Sequence, residues 1–403
     1  MIRGFGLVFA LLLMAAPAWA TTYYIAPSTN TPAGSDSNNG TSAATPKLHF
    51  SQFFKTTPVL QPGDTLELAN GAYTVPLNGA LTLNCTAGNN ANSGTVGNVI
   101  TIRAANERQA RITGDGIANA LNIRNCKYIT IHGLDLRNVN NVNALPWEGG
   151  VFLAYDSDYL TITRNLISSP NKTCKAGGDS APPIGCNAHS LLLSGVFNSL
   201  IEENEIFNVR RHGITVTGGQ RLTLRRNFVA GGTQTVYKVC LGGSNDQKNC
   251  TVASECPSGT CTTAYASPNC YVYYPCSQCK GENNICWGTA TATGDIGMTV
   301  TECSNAATPC RTNSDCTGGG TCPSAGITAA HDNSVTGDIL IAPGDTDANG
   351  TYDSTAESSG ISIRAKSVPP DLGVPSKDFT ARNILVLSPK NEGSLQRTAI
   401  NAV

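Results

Sequence analysis

The chain is 403 residues long, with 27 Lys and Arg set against 28 Asp and Glu, and only 14% of it is charged. A net charge of −1 excludes the broad electrostatic attraction on which nucleic-acid and anionic-membrane binding depend, so neither is an expected partner. Glycine is abundant, aromatics make up 6%, and few stretches show helical periodicity, which points to an all-β protein with many turns.

The first element is "MIRGFGLVFALLLMAAPAWA". One basic residue, an apolar run from Leu7 to Leu13 and Ala18-Trp19-Ala20 form a Sec-type signal peptide, residues 1–20, with cleavage near Ala20. The run is too short to span a bilayer, and no later segment is apolar enough to do so. The mature chain is expected to be secreted, periplasmic or on the cell surface. Sixteen cysteines in an exported chain favour disulfides over metal or thiol chemistry.

Four segments then overlay without gaps: 120–138, 151–169, 190–208 and 213–231. Their columns read Leu121, Phe152, Leu191, Ile214; Ile123, Ala154, Leu193, Val216; Ile131, Ile162, Ile201, Leu224; and Leu136, Ile167, Ile206, Val229. Period-two alternation inside each segment makes short strands with one buried face. Three strands per repeat, stacked in register, describe a solenoid whose rungs cover one another's apolar residues. A further column holds Asn165, Asn204 and Asn227 at the turn after the second strand, with Leu134 in its first place. Asparagine tolerates left-handed backbone there, and stacked amides can hydrogen-bond from rung to rung.

The opening "YYIAPS…AGSDSNNGTSAATP", with "QPGDTLELANGAYT" and "NVITIRAANERQARITGDG", resembles the start of secreted right-handed parallel β-helix proteins, among them several polysaccharide lyase families. The resemblance implies an N-terminal cap over 21–64, with a short helix near His49–Thr56. Rungs would then run over 65–232. It speaks for fold more than activity, because this scaffold hosts lyases, hydrolases, epimerases and proteins without a reaction.

A cysteine-rich insertion is expected over 233–324. "CLGGSNDQKNCTVASECPSGTC" and "CSNAATPCRTNSDCTGGGTC" are similar four-cysteine modules flanking Cys270, Cys276, Cys279 and Cys286. Cys276-x-x-Cys279 has zinc-site spacing, but export and the even count favour disulfides. "GENNICWG" inside this region has the pattern of another rung. Cys174 and Cys186 would close their own loop, and Cys85 and Cys126 pair by elimination. Further rungs are expected over 325–403, one at "DFTARNILVLSPKN". The end at "LQRTAINAV" reads as a rung starting rather than as a cap.

The register also sorts the charges of "NVRRHGITVTGGQRLTLRRN". Glu202 and Glu203 fall beside Arg225 and Arg226, as structural cross-rung pairs. Arg221 reads as a solvated turn residue. Arg210, Arg211 and His212 stand in the columns Glu148–Asn187–Arg210, Gly149–Ala188–Arg211 and Gly150–His189–His212, where Arg211 has no carboxylate neighbour. Their turn is short and lies between two long ones, which would make it the floor of a cleft. Cleavage of a uronate polysaccharide by β-elimination needs a base for the C5 proton, a cation for the adjacent carboxylate and a donor for the leaving oxygen. Arg210, Arg211, His212 and His189 are the candidate catalytic residues, with Glu148 and Asn187 as substrate contacts. The alternative is a basic turn on a non-catalytic adhesion or glycan-binding protein. A hydrolase would need two carboxylates across one sugar bond; Glu202 and Glu203 are adjacent and point apart, whereas Asp156 and Asp158 are two apart and could share a face, though in a turn. Finally, "DTDANGTYD" offers Asp345, Asp347, Asn349, the Thr351 carbonyl and Asp353 as a Ca²⁺ loop; the twelfth position is Ala356, not Glu, and an ion-free turn is the competing reading.

Overall fold

The structure is a computed structural model, and it describes residues 20–55, 59–86, 88, 91–139, 150–168, 189–209, 212–231, 235–241, 252–266, 269–287, 292–295, 334–336, 338–341, 361–364, 380–382, 385–387 and 400–402. These residues form three parallel sheets of ten, nine and six strands, the six-stranded one from Leu81–Asn84 to Asn269–Ser277. One rung contributes a strand to each. Leu121–Arg124 lies in the six-stranded sheet, Lys127–His132 in the ten-stranded sheet and Asp135–Asn138 in the nine-stranded sheet. The next rung repeats the order with Phe152–Tyr155, Asp158–Thr163 and Leu166–Ser168. This is a right-handed parallel β-helix, the hand that parallel crossovers take.

The apolar columns read from the sequence are the observed registers. Leu121, Phe152, Leu191 and Ile214 pair in turn, as do Ile131, Ile162, Ile201 and Leu224. All sixteen residues of the four columns are at most 1% exposed. "GENNICWG" also belongs to a rung, formed by Asn269–Ser277, Lys280–Glu282 and Ile285–Trp287. "DFTARNILVLSPKN" supplies Thr380–Arg382 and Leu385–Leu387, which continue the ten- and nine-stranded sheets. At the C-terminal end Ile400–Ala402 is a strand, paired with Ile361–Arg364.

The ten-stranded sheet starts earlier than the expected Thr65, because Thr22–Ile25 pairs in parallel with Thr65–Leu68. Phe50, Phe53 and Leu60 close that end of the core, and a 3₁₀ turn occupies Phe50–Gln52. Buried Tyr73 anchors the first strand, its hydroxyl shared between the carbonyls of Ile25 at 2.9 Å and Ala69 at 2.8 Å.

The asparagine column is a continuous ladder. Asn165 donates its backbone N–H and its amide to Asn204 Oδ1, Asn204 does the same to Asn227, and Asn227 to Asn284, all within 3.1 Å. Each Nδ2 also donates to a carbonyl of the preceding rung, as Asn204 does to Ile162 at 2.9 Å. The ladder starts where Leu134 N–H donates to Asn165 Oδ1 and continues to Asp338. The left-handed backbone is not on these residues, however. It falls one position earlier, on Gly133, Arg164, Glu203, Arg226 and Asn283. That residue makes the bend, which turns the following asparagine inward, where its amide must be satisfied by neighbours.

Two cysteine pairings are resolved. Cys85–Cys126 is the pair reached by elimination, and Cys270–Cys286 is a second. Cys256, Cys261 and Cys279 are also in disulfides, which removes Cys279 from a zinc site. Cys174–Cys186 and the module Cys303–Cys322 lie outside the described residues, as does the stretch 242–251 of the first module, with Cys250. No helix among the described residues is long and apolar enough to cross a membrane.

Candidate functional site

The corner between the nine- and six-stranded sheets takes the long connections. Residues 139–151 and 169–188 join successive rungs there, whereas only 210 and 211 separate Glu205–Val209 from His212–Gln220. After Gly231 the chain makes an antiparallel hairpin, Thr235–Leu241 with Thr260–Ala266, then rejoins the six-stranded sheet at Asn269. The six-stranded sheet therefore runs beside the most elaborated edge of the helix.

Its inward residues fill the core, so the residues between them face out. Two outward columns run along the helix axis: Asn122, Leu153, Leu192, Thr215 and Arg124, Tyr155, Ser194, Thr217. At the start of these strands His189 and His212 are backbone register partners, the neighbours that the sequence columns require. His189 is half-buried, and its Nδ1 lies 2.8 Å from Oγ1 of Thr215, itself only 1% exposed. That contact fixes the plane of the ring, as a proton-transferring imidazole needs. Arg210, Arg211, Glu148 and Asn187 lie outside the described residues, as do Asp345, Asp347, Asn349, Thr351 and Asp353. No group of three or more His, Cys, Asp or Glu suited to a metal occurs among the described residues.

The arginines of the ten-to-nine-stranded corner are accounted for. Arg225 Nη2 donates to Glu202 at 3.0 Å, and Arg226 Nε to Glu203 at 3.0 Å, with a further contact from Arg226 to Glu202. Arg164 joins Glu107 at 2.8 Å, and Arg108 reaches Glu205 at 2.8 Å. Glu107, Arg108, Arg164, Glu203, Glu205 and Arg226 line a shallow cavity of about 550 Å³. Its carboxylates and guanidinium groups neutralise one another, so it is a structural corner. Arg221 is exposed and donates to Asn198 Oδ1 at 2.7 Å, which ties adjacent rungs. Asp158 accepts from Asn198 Nδ2 at 2.8 Å.

One arginine escaped the sequence reading. Arg124, at the end of its strand, is exposed and has no carboxylate partner among the described residues. Its guanidinium carbon sits 4.5 Å from the ring centre of Tyr155, its register partner. Burial pushes the Tyr155 phenol above its ordinary value, with Arg124 pulling the other way. The column test applied to Arg211 would have found Arg124, since Arg124 aligns with Tyr155 and Ser194 and no acid follows.

No family model matches the chain, and no curated protein matches it. Among solved structures, similar ones include an alginate lyase from Paenibacillus sp. str. FPU-7 at 13% identity, covering 85% of this chain and 93% of that one with a TM-score of 0.37. Pectate lyase Pel9A shows 12% identity over 93% of this chain and 79% of its own, with a TM-score of 0.40. A GH136 lacto-N-biosidase from Eubacterium ramulus shows 11% identity over 95% and 68%, with a TM-score of 0.36. The likeness is one of fold. Lyases and a glycosidase share that architecture, and no substrate or residue role passes from them to this chain.

Proposed function

We propose that this is an extracellular carbohydrate-active protein that cleaves a uronate-containing polysaccharide by β-elimination at the His189–His212 row. The observation that carries the reading is the register pairing of the two histidines, with the His189 ring held against Thr215. Disulfides belong to the oxidising compartments where such polymers are met.

In this reaction an imidazole takes the C5 proton of a uronate. The electron pair forms the C4–C5 double bond as the C4–O4 bond breaks, and O4 leaves with a proton from a donor. Arg210 and Arg211, next to His212 in sequence, would supply the positive charge that the carboxylate needs as its α-carbon loses the proton. Glu148 and Asn187 would contact the substrate from the neighbouring columns. The loop Asp345–Asp353 would hold a structural Ca²⁺ through Asp345, Asp347, Asn349, the Thr351 carbonyl and Asp353. No step of the elimination depends on that ion.

The test is to incubate the protein with alginate, pectate and glycosaminoglycans, with and without Ca²⁺, and follow ultraviolet absorbance of the unsaturated product. Elimination on one of them, lost in His189→Ala or His212→Ala, supports the reading. Binding without elimination on any substrate would favour a non-catalytic glycan-binding or adhesion protein instead.

A further inference from the structure

Arg124 is unlike the other arginines of its neighbourhood. Arg103 pairs with Glu67, and both Arg111 and Arg137 with Asp135, whereas Arg124 lies on the ring of Tyr155. With the ring as its neighbour and no carboxylate partner among the described residues, the exposed guanidinium keeps its planar fork of N–H donors for a carboxylate, which such a fork can grip with two parallel bonds.

The backbone around these groups is fixed. Cys126, two residues after Arg124, is in the disulfide to Cys85, and the Arg124 carbonyl accepts Cys85 N–H at 3.0 Å. Cys126 N–H donates to Ser157 Oγ, and that hydroxyl donates to the Tyr155 carbonyl at 2.7 Å. Both strand ends that carry the Arg124–Tyr155 stack are thus tied together before any ligand arrives, which lowers the ordering cost of binding.

We propose that Arg124 and Tyr155 form a sugar-acid subsite, in which Arg124, held on the Tyr155 ring, binds a uronate carboxylate. An anionic sugar matches the guanidinium, and a neutral sugar leaves Arg124 unanswered. Along the strand, Tyr155 is in register with Ser194, five residues beyond His189, which is about 16 Å. The subsite therefore holds a residue several sugars away from the bond at the histidines. It rests on the proposed function only in taking both positions to be served by one chain.

The experiment is calorimetric titration of short oligouronates, with their methyl esters as neutral controls, into wild type, Arg124→Gln and Arg124→Lys. Elimination kinetics on the polymer are measured in parallel. Wild type should bind the acid at least about tenfold more tightly than its ester, and Arg124→Gln should abolish the difference. Arg124→Lys should restore little, because an ammonium lacks the fork. On the polymer, KM should rise in Arg124→Gln while kcat stays within about twofold, since the subsite does not touch the reacting bond. Equal affinity of wild type for acid and ester would overturn the subsite without any variant. So would an unchanged KM in Arg124→Gln, and cleavage would then leave the lyase reading standing. Arg124-dependent binding without cleavage would sustain the subsite and remove the lyase.

Discussion

At the corner of the ten- and nine-stranded sheets, Glu202, Glu203, Arg225 and Arg226 neutralise one another across adjacent rungs, whereas on the outer face of the six-stranded sheet Arg124 rests on an aromatic ring and meets no carboxylate among the described residues. Both surfaces have the same rung spacing of about 4.8 Å. What differs is the residue that the next rung places alongside. A stacked helix gives every charge a defined neighbour, so the neighbour's identity separates a charge used for stability from one available to a ligand.

The sharpest way to break this comparison is to alter the six-stranded face where chemistry is proposed. His189→Gln should lower elimination at least about 100-fold with little change in thermal melting; melting loss with activity retained per folded molecule would mark His189 as structural. The interior of the other corner should respond in the opposite sense. Asn204→Ala removes the acceptor of two Asn165 donors and the donor to Asn227 and Ile162. It should cost about 3 kcal/mol or more in denaturant unfolding.

On the surface of that corner the effect should be small. Glu203 is half-buried and shares Arg226 with Glu202 and Arg164 with Glu107, so Glu203→Gln should change stability by less than about 1 kcal/mol and leave glycan binding and turnover alone. A loss of turnover would show that the paired corner also serves the substrate.

The smallest effect should come from the N-terminal end, where Asp36 accepts the backbone N–H groups of Leu48 and His49 at 3.1 Å and touches His49 Nδ1 at 2.6 Å. Partial burial works to raise the Asp36 carboxyl, but these bonds and His49 outweigh it and hold the value below the usual 3.8. The lowered value means that Asp36 stabilises the fold above its ordinary range and stops doing so as pH falls through the folded value. Melting measured from pH 5 to 2 should show a shallower acid loss in Asp36→Asn; identical profiles would exclude Asp36 as a contributor.

The sixteen core residues were readable because a buried solenoid imposes one register on every rung, and the Asn165–Asn204–Asn227 column followed from the same alignment. The site of the left-handed bend was misplaced by one residue, because side-chain preference for asparagine outweighed the need to point an amide inward. Thr22–Ile25 was missed as a sheet strand since its partner at Thr65 lies far along the chain with no repeat to announce it. Of the candidate site, the same alignment placed His189 beside His212, and that register is observed because both residues open strands of one sheet. Arg210, Arg211, Glu148 and Asn187 lie outside the described residues.

The strand His212–Gln220 pairs with Asn269–Ser277 in the same parallel fashion as rungs joined by two residues, although a hairpin intervenes. Closing a longer loop costs only about 0.6 kcal/mol per doubling of its length, and the core beneath sees the same neighbours in either case. This edge of the molecule is consequently a socket. Connections can be lengthened, exchanged or grafted there while the column of apolar residues underneath is left as it was.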